Sequence, residues 1–340
     1  MRIGLVGYGT GGRYFHAPFI DAADGVELVG VVTRSAQRRA ELESDYPGTP
    51  AYDSLNDLLD AGVDAVTITT PPDTRFALVM EALDRGVHVV ADKPFAPDAE
   101  TAATMDRTAR DRGLVLSVFH NRRWDADIRT LKKVLEGGEL GTVTRVESRF
   151  DLNEPDSLEL GPSGGLLRDL GSHVVDQVLW LLGSAVRVYS VLDWIGEGDD
   201  RTDSGFVITI THTSGVVSMV SSTKRNFAQG RELRAYGDAG SFFSSGTDVQ
   251  AQAIFAGRRP VDSPDTWGFE LEDRWGTLTT AAGTRPVPSE QGRHQDYYTA
   301  FARAVRDHTA PPVPAEQAVQ TIAVLDAARL SAAEHRVVDL

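Results

Sequence analysis

The chain has 340 residues, 41% of them hydrophobic, with a formal net charge of −15 and no cysteine. That length suggests two domains of ordinary size, each with enough apolar material for a core. The acidic balance argues against nucleic acid and an anionic membrane surface as partners, and the absence of thiols excludes disulfides, thiolate catalysis and cysteine-ligated metal.

Residues 1–6 run straight into a strand-like segment rather than a secretory leader, and no apolar run reaches membrane-spanning length, so a cytoplasmic setting is expected. Strands are predicted at residues 3–6, 28–32, 65–69, 87–90 and 114–119. Helical stretches separate them: 15 to about 23, 38–46, 54–61, 74–85 and 99–112. Short apolar strands alternating with helices imply a doubly wound parallel sheet, covered on both faces. The pattern changes near residue 120. A helix at 128–136 precedes Gly137 and Gly138, then come a strand at 143–150 and a helix from 165 to 182 that stops at Gly183. The runs at 206–211, 216–221 and 232–236 alternate apolar with polar residues, as strands of an antiparallel sheet do. Residues 256–265 read as a surface loop, and a helix at 315–334 closes the chain. The expected fold class is therefore α/β: a Rossmann domain over residues 1–120, then an α+β domain over 121–340 with a large, mainly antiparallel sheet. The last helix is expected to return to the first domain.

Gly7-Tyr8-Gly9-Thr10-Gly11-Gly12 follows the first strand and carries G-x-G-x-x-G at Gly7, Gly9 and Gly12. The first glycine permits the tight turn, the second lets a pyrophosphate approach the backbone, and the third packs the helix on the strand. The helix N-terminus then offers N–H groups to the phosphates. An NAD site carries an acid about 20 residues on, at the end of the second strand. Here Thr33, Arg34 and Ser35 stand there, with Arg38 and Arg39 beyond. A guanidinium and two hydroxyls suit a ribose 2′-phosphate, so NADP is the expected cofactor, with NAD as the alternative. The competing reading makes Arg34 a solvated residue and puts Arg38 and Arg39 on an exposed helix face.

Asp92-Lys93-Pro94 follows the strand at 87–90, where open α/β sheets present residues to ligand. On position alone, Lys93 fits a ligand-facing lysine and a surface lysine equally well. Asp169 and His173 lie four apart on a helix and share a face. They fit a catalytic pair, and they also fit a core histidine satisfied by a carboxylate. Without a second histidine at ligand spacing, a metal site is not expected.

The run of G-Y-G-T-G-G, T-T-P-P at Thr69 to Pro72, D-K-P at Asp92 to Pro94 and D-L-G-S-H at Asp169 to His173 resembles the Gfo/Idh/MocA oxidoreductases. Phe15-His16-Ala17-Pro18 and the stretch from Ser117 to Asp125 resemble its NADP-dependent scyllo-inositol dehydrogenase-like subgroup. The resemblance implies that Lys93 contacts the reacting hydroxyl, through a Lys93–Pro94 bond often cis in the family. It implies that Asp169 and His173 complete the catalytic set. It places Thr70, Pro71, Pro72, Asp92 and Asn121 beside the cofactor. Asp92 departs from the usual glutamate, and Thr74 and Arg75 stand where a histidine is common. The implied reaction moves a hydride between a cyclic polyol or sugar carbon and nicotinamide. His173 serves as general base, Asp169 orients it, and Lys93 stabilises charge on the oxygen.

A polyol pocket needs several fixed polar groups. His120, Arg122, Arg123, Trp124, Asp125 and Asp176 are the candidates, joined more weakly by Asp151 and Asn153. Trp124 fits stacking on a sugar face and filling a domain junction equally; Tyr297 and Tyr298 fit helix packing better than a pocket. The alternatives are an oxidoreductase of another sugar (an aldose, anhydro- or deoxy-sugar) and a dinucleotide-binding regulator without catalysis. The family resemblance further implies a homodimer or homotetramer built on the second domain's sheet.

Overall fold

In the computed structural model, which describes residues 1–161, 164–198 and 201–340, the first third of the chain alternates strand and helix. β1 (Arg2–Val6), β2 (Glu27–Val32), β3 (Ala51–Tyr52), β4 (Ala65–Ile68), β5 (His88–Ala91) and β6 (Leu116–Val118) pair in parallel in the order β3-β2-β1-β4-β5-β6. All four residues of β4 are buried, as a strand covered on both faces requires. α1 (Ala17–Asp21), α2 (Ala36–Asp45), α3 (Leu55–Asp60), α4 (Pro72–Asp84) and α5 (Ala99–Asp111) return the chain between strands. Ser35, Ser54 and Asp98 start α2, α3 and α5 by accepting backbone N–H groups that the helix leaves without partners. The strand order reverses between β1 and β4, the place where such sheets bind ligands.

The remaining elements are α6 (Ala126–Glu136), β7 (Val143–Asn153), α7 (Ser172–Leu182), β8 (Ala185–Ile195), β9 (Thr202–His212), β10 (Val217–Thr223), β11 (Arg225–Gly237), β12 (Gly240–Ser245), α8 (Val249–Phe255), β13 (Gly276–Thr280), β14 (Gly283–Val287), α9 (Gln295–Asp307), α10 (Ala315–Glu334) and β15 (Val338–Asp339). The chain forms two compact units. One comprises Met1–Asn121, Gln250–Trp267 and Arg293–Val319; the other comprises Arg122–Val249, Gly268–Gly292 and Gln320–Leu340.

The second unit holds a nine-stranded sheet, β14-β13-β12-β11-β7-β10-β9-β8-β15, antiparallel except where β7 pairs with β10. α6 carries Ile128, Leu131 and Val134 three apart, so they share a face. They pack with Val146, Leu233, Ala235, Phe242, Leu278 and Val287 of the sheet. On the strands β8, β9 and β10, Tyr189, Val191, Val207 and Met219 are exposed.

Two helices begin differently from the sequence expectation. A π-helical turn, Gly11–His16, leads from the glycine loop into α1, and another, Leu167–Gly171, leads into α7. Wide turns of this kind recur at functional sites. β8 escaped prediction because its apolar residues lie on both faces: Val188 and Leu192 are buried while Tyr189 and Val191 are exposed. That arrangement hides the period-two signal.

Candidate active site

In the first unit, the candidate residues collect at the carboxyl ends of the parallel strands. Gly7 follows β1 at φ +103°, and its N–H donates to Val32 O (3.1 Å). Thr69 Oγ1 donates to the Val6 and Gly7 carbonyls, both at 3.2 Å, fixing the turn. A Cβ on Gly12 would lie 2.1 Å from Gly7 O, so only glycine fits there. A Cβ on Gly9 would meet nothing nearer than the Arg38 guanidinium at 3.5 Å. The loop is therefore tight behind and open in front, the shape that backbone N–H groups need to cradle a pyrophosphate. Thr10 is exposed on the same stretch, whereas a Cβ on Gly11 would lie 3.3 Å from Asp92 Oδ2. Tyr8 turns inward: it is 1% exposed and donates to Asp45 at 3.0 Å, leaving only its backbone for a phosphate.

At the end of β2, Thr33 is buried and Arg34 exposed. Ser35 Oγ accepts the Arg38 N–H (3.4 Å). Arg39 binds Thr33 O (3.1 Å) and Asp53 (2.6 Å). Arg38, not Arg39, is thus the helix cation that lies over the glycine loop.

At the ends of β4 and β5, one buried arginine joins two loops. Arg75 donates to Thr70 O (2.6 Å) and to Pro94 O. The Lys93–Pro94 peptide is cis. Asp92 Oδ1 accepts the Lys93 N–H (2.8 Å), and Oδ2 lies 3.3 Å from His16 Nε2. Burial pushes the Asp92 carboxyl up, but His16, Arg75 and Lys93 outweigh it and hold it at about 2. His16 is wholly buried, with its Nδ1 2.5 Å from Tyr298 Oη, which in turn lies 3.4 Å from Thr67 Oγ1. Burial keeps Tyr298 a phenol. Past β6, His120 and Asn121 are buried, and Asn121 Nδ2 sits 3.4 Å from His294 Nδ1.

In the second unit, Asp169 stands on the π-helical turn and His173 on the first turn of α7. Asp203 Oδ2 accepts the Leu167 N–H (2.5 Å) and so anchors the start of that turn. Lys224, between β10 and β11, places Nζ 2.7 Å from Asp169 Oδ2 and 3.2 Å from Ser157 O. Asp151 is buried and accepts from Arg149, Asn226 and the Thr223 N–H, which ties it to its own sheet; Asn153 ends β7.

Four residues expected to face a polyol have their charged ends on protein partners. Arg123 grips Asp176 bidentately at 2.8 and 2.6 Å. Arg122 binds Asp248 (2.7 Å) and Asp125 (3.2 Å), while Arg231 binds Asp125 (2.5 Å) and Asp127 (2.6 Å). Charges this deeply buried must be neutralised nearby, and apart from Arg122–Asp125 these pairs join arginines and aspartates from distant parts of the sequence. Trp124 is partly exposed on the short 3₁₀ turn Asn121–Trp124.

Two family profiles match the chain. Residues 1–120 match the Gfo/Idh/MocA oxidoreductase family's NAD-binding Rossmann fold, and residues 132–340 match its C-terminal alpha/beta domain. The chain belongs to the Gfo/Idh/MocA family. It is accordingly an oxidoreductase acting on CH–OH groups, with an NAD-binding Rossmann domain at its N-terminal end. It is 31% identical to the scyllo-inositol 2-dehydrogenase (NADP(+)) IolW of Bacillus subtilis, over 100% of this chain and 96% of that protein. It is 34% identical to the uncharacterized oxidoreductase YdgJ of Escherichia coli, over 99% and 97%. Among solved structures, the oxidoreductase yvaA of Bacillus subtilis superposes with a TM-score of 0.91 at 31% identity, covering 100% of this chain and 99% of that one.

Three residues of this Gfo/Idh/MocA chain were not picked out as site residues by sequence reasoning. Arg75 stands where the resemblance leads one to expect a histidine, and it bonds the two loops that follow β4 and β5. His16 backs the shorter Asp92. Lys224 left a compositional trace: of the 34 cationic side chains only four are lysines, at 93, 132, 133 and 224. Among the described residues, no helix is long and apolar enough to cross a membrane, and no cluster of three or more His, Asp or Glu is arranged to hold a metal ion.

Proposed function

We propose that the chain is an NADP-preferring dehydrogenase of a cyclic polyol or sugar, scyllo-inositol or a close analogue, acting in the cytoplasm. The observation that carries the cofactor preference is the end of β2. No acid stands there, Arg34 is exposed, and the Arg38 guanidinium lies over Gly9. Two cations around an open phosphate loop suit a 2′-phosphate and would leave a bare ribose 2′-OH without its usual carboxylate. The full-length likeness to an NADP-dependent scyllo-inositol 2-dehydrogenase supports the substrate class.

The glycine loop, with the space before Gly9 and the tight contact behind Gly12, fits a dinucleotide pyrophosphate. Tyr8, Gly9, Thr10, Gly11 and Gly12 hold it through backbone N–H groups, while Gly7, whose own N–H donates to Val32 O, makes the turn. Thr33, Arg34 and Ser35, with Arg38, hold the adenosine ribose. Thr70, Pro71, Pro72, Asp92 and Asn121 line the remaining edge. A bound nicotinamide supplies the hydride acceptor. His173 takes the proton of the reacting hydroxyl, work suited to an imidazole. Asp169 orients His173. Lys93 stabilises negative charge developing on the oxygen, and Asp92, by holding the Lys93 N–H, fixes where that lysine leaves the strand. His120 and Trp124 bind further hydroxyls. The Arg123–Asp176 pair and the Arg122–Asp125 cluster serve as rigid support.

We further propose self-association through the outer face of the nine-stranded sheet. Tyr189, Val191, Val207 and Met219 lie there on β8, β9 and β10, which are adjacent strands, and such a run is costly to leave in water. The functional test is a spectrophotometric panel of inositols and aldoses with NADP and NAD in parallel. Reduction of NADP by scyllo-inositol, abolished in Lys93→Ala and in His173→Ala while NADPH still binds, is the expected result. Full turnover by either variant refutes the assignment.

A further inference from the structure

The scarcity of lysine makes Lys224 unusual. The chain uses thirty arginines and four lysines. Two of the four, Lys132 and Lys133, lie on α6 and pair with Glu136 and Glu290. A third is Lys93. The fourth, Lys224, has only 7% of its side chain exposed, so its burial has a desolvation cost that an apolar residue would avoid. Its ammonium meets two acceptors, Asp169 Oδ2 at 2.7 Å and Ser157 O at 3.2 Å. Asp169 is far more open, with 37% of its side chain exposed. The cation therefore lies beneath the carboxylate, and the carboxylate faces outward from it.

The backbone around this contact is equally constrained. Lys224 N–H donates to Ser204 O (3.4 Å), and its carbonyl accepts from Glu154 N–H (2.9 Å). Asp169 sits on the π-helical turn that Asp203 anchors, one turn ahead of His173. An arginine presents a broad planar fork, whereas a lysine presents a compact point charge on a slender stem. A single carboxylate oxygen, approached from a buried position, suits the second.

We propose that Lys224 is a positioning residue of the reaction. Its ammonium holds Asp169 ionised and in one orientation, and Asp169 in that state orients His173. The inference rests on the catalytic reading of Asp169 and His173 given above. It does not give Lys224 any contact with substrate.

The experiment uses the full chain, with whichever polyol of the panel the wild type oxidises fastest. Lys224→Met, Asp169→Asn and the double variant are compared by kcat, KM and NADPH affinity. Residues acting as one unit give losses that do not multiply. The expected result is a kcat about 10²-fold lower in Lys224→Met, with KM changed by less than about threefold and NADPH affinity unchanged, and a double variant no slower than the slower single. Where Lys224→Met does not fold, Lys224→Gln, which keeps a donor and removes the charge, takes its place. A second readout is independent of turnover. Protein labelled with ¹⁵N-lysine gives four side-chain signals, and the Lys224 signal, assigned by its loss in the variant, is expected to shift in Asp169→Asn. Unchanged kcat in Lys224→Met, losses that multiply in the double variant, or a Lys224 signal indifferent to Asp169→Asn each overturn the inference while leaving the functional reading intact. A wild-type chain that oxidises nothing in the panel overturns the functional reading itself, and this inference with it.

Discussion

Alanine at Gly9 and alanine at Gly12 add the same single carbon three residues apart, yet the two should fail in different ways. At Gly12 the new Cβ falls 2.1 Å from Gly7 O and 3.0 Å from Gly7 C. Ordinary carbon–oxygen contact lies near 3.2 Å, so backbone must move by about 1 Å, in a loop already pinned by Thr69. Overpacking of this kind costs about 1–3 kcal/mol, which for the larger domain sizes lowers Tm by about 2–4 °C per kcal/mol. At Gly9 the new Cβ meets only the Arg38 guanidinium at 3.5 Å, an ordinary contact with a movable side chain. Gly9→Ala should therefore keep the wild-type Tm to within about 1 °C, because exposed substitutions away from packed features change stability little. The added methyl instead occupies the space that a pyrophosphate needs, and a loss of 1.4 kcal/mol or more would weaken NADPH at least about tenfold. Thermal unfolding and NADPH fluorescence titration on both variants provide the assay. Wild-type NADPH affinity in Gly9→Ala, or unfolding of Gly9→Ala at the temperature of Gly12→Ala, would refute the reasoning.

Three further outcomes can be checked directly. Arg123→Met removes the bidentate partner of Asp176 in a site where only 2–3% of either side chain is exposed, and should cost about 3–5 kcal/mol in denaturant unfolding, with much of the loss recovered in Arg123→Met/Asp176→Leu. Asp92 is held below its ordinary value, so its contribution is full above about pH 4 and fades as pH falls toward 2; Asp92→Asn should lose about 2 kcal/mol at pH 7, and the gap from wild type should narrow steadily between pH 4 and pH 2. Met219→Asp puts a charge on the exposed face of β10, and sedimentation should show a smaller species than wild type while Tm changes little; an unchanged oligomer would count against that face as the contact.

The features that could be read from sequence are those whose parts are close together in the chain. The glycine loop, the Asp92-Lys93-Pro94 turn and the Asp169-to-His173 turn each fit within a few residues, and each is placed at a strand end or helix start. Lys224 could not be found that way, because it reaches Asp169 from 55 residues further along, after three strands. His16 was visible in its Phe-His-Ala-Pro stretch, but its contacts with Asp92 and Tyr298 join three distant segments. Arg122, Arg123, Asp125 and Asp176 show the opposite difficulty. A charged residue near a candidate site looks the same in sequence whether it meets a ligand or another side chain, and only the folded chain reveals the Arg123–Asp176 fork. The fold class was legible because the alternation of helices with strands survives in the first unit. The strand β8 was not, since apolar residues on both its faces remove the alternation that marks a half-buried strand.

The central claim is that the open phosphate loop, flanked by Arg34 and Arg38, serves an NADP-preferring polyol dehydrogenase. The most direct test is kcat/KM for scyllo-inositol measured with NADP and with NAD, in the wild type and in Arg34→Ala/Arg38→Ala. The account predicts a preference for NADP of at least about tenfold in the wild type, falling toward unity in the variant because the NADP value alone drops. A wild type that favours NAD, or a preference that survives loss of both arginines, would contradict it.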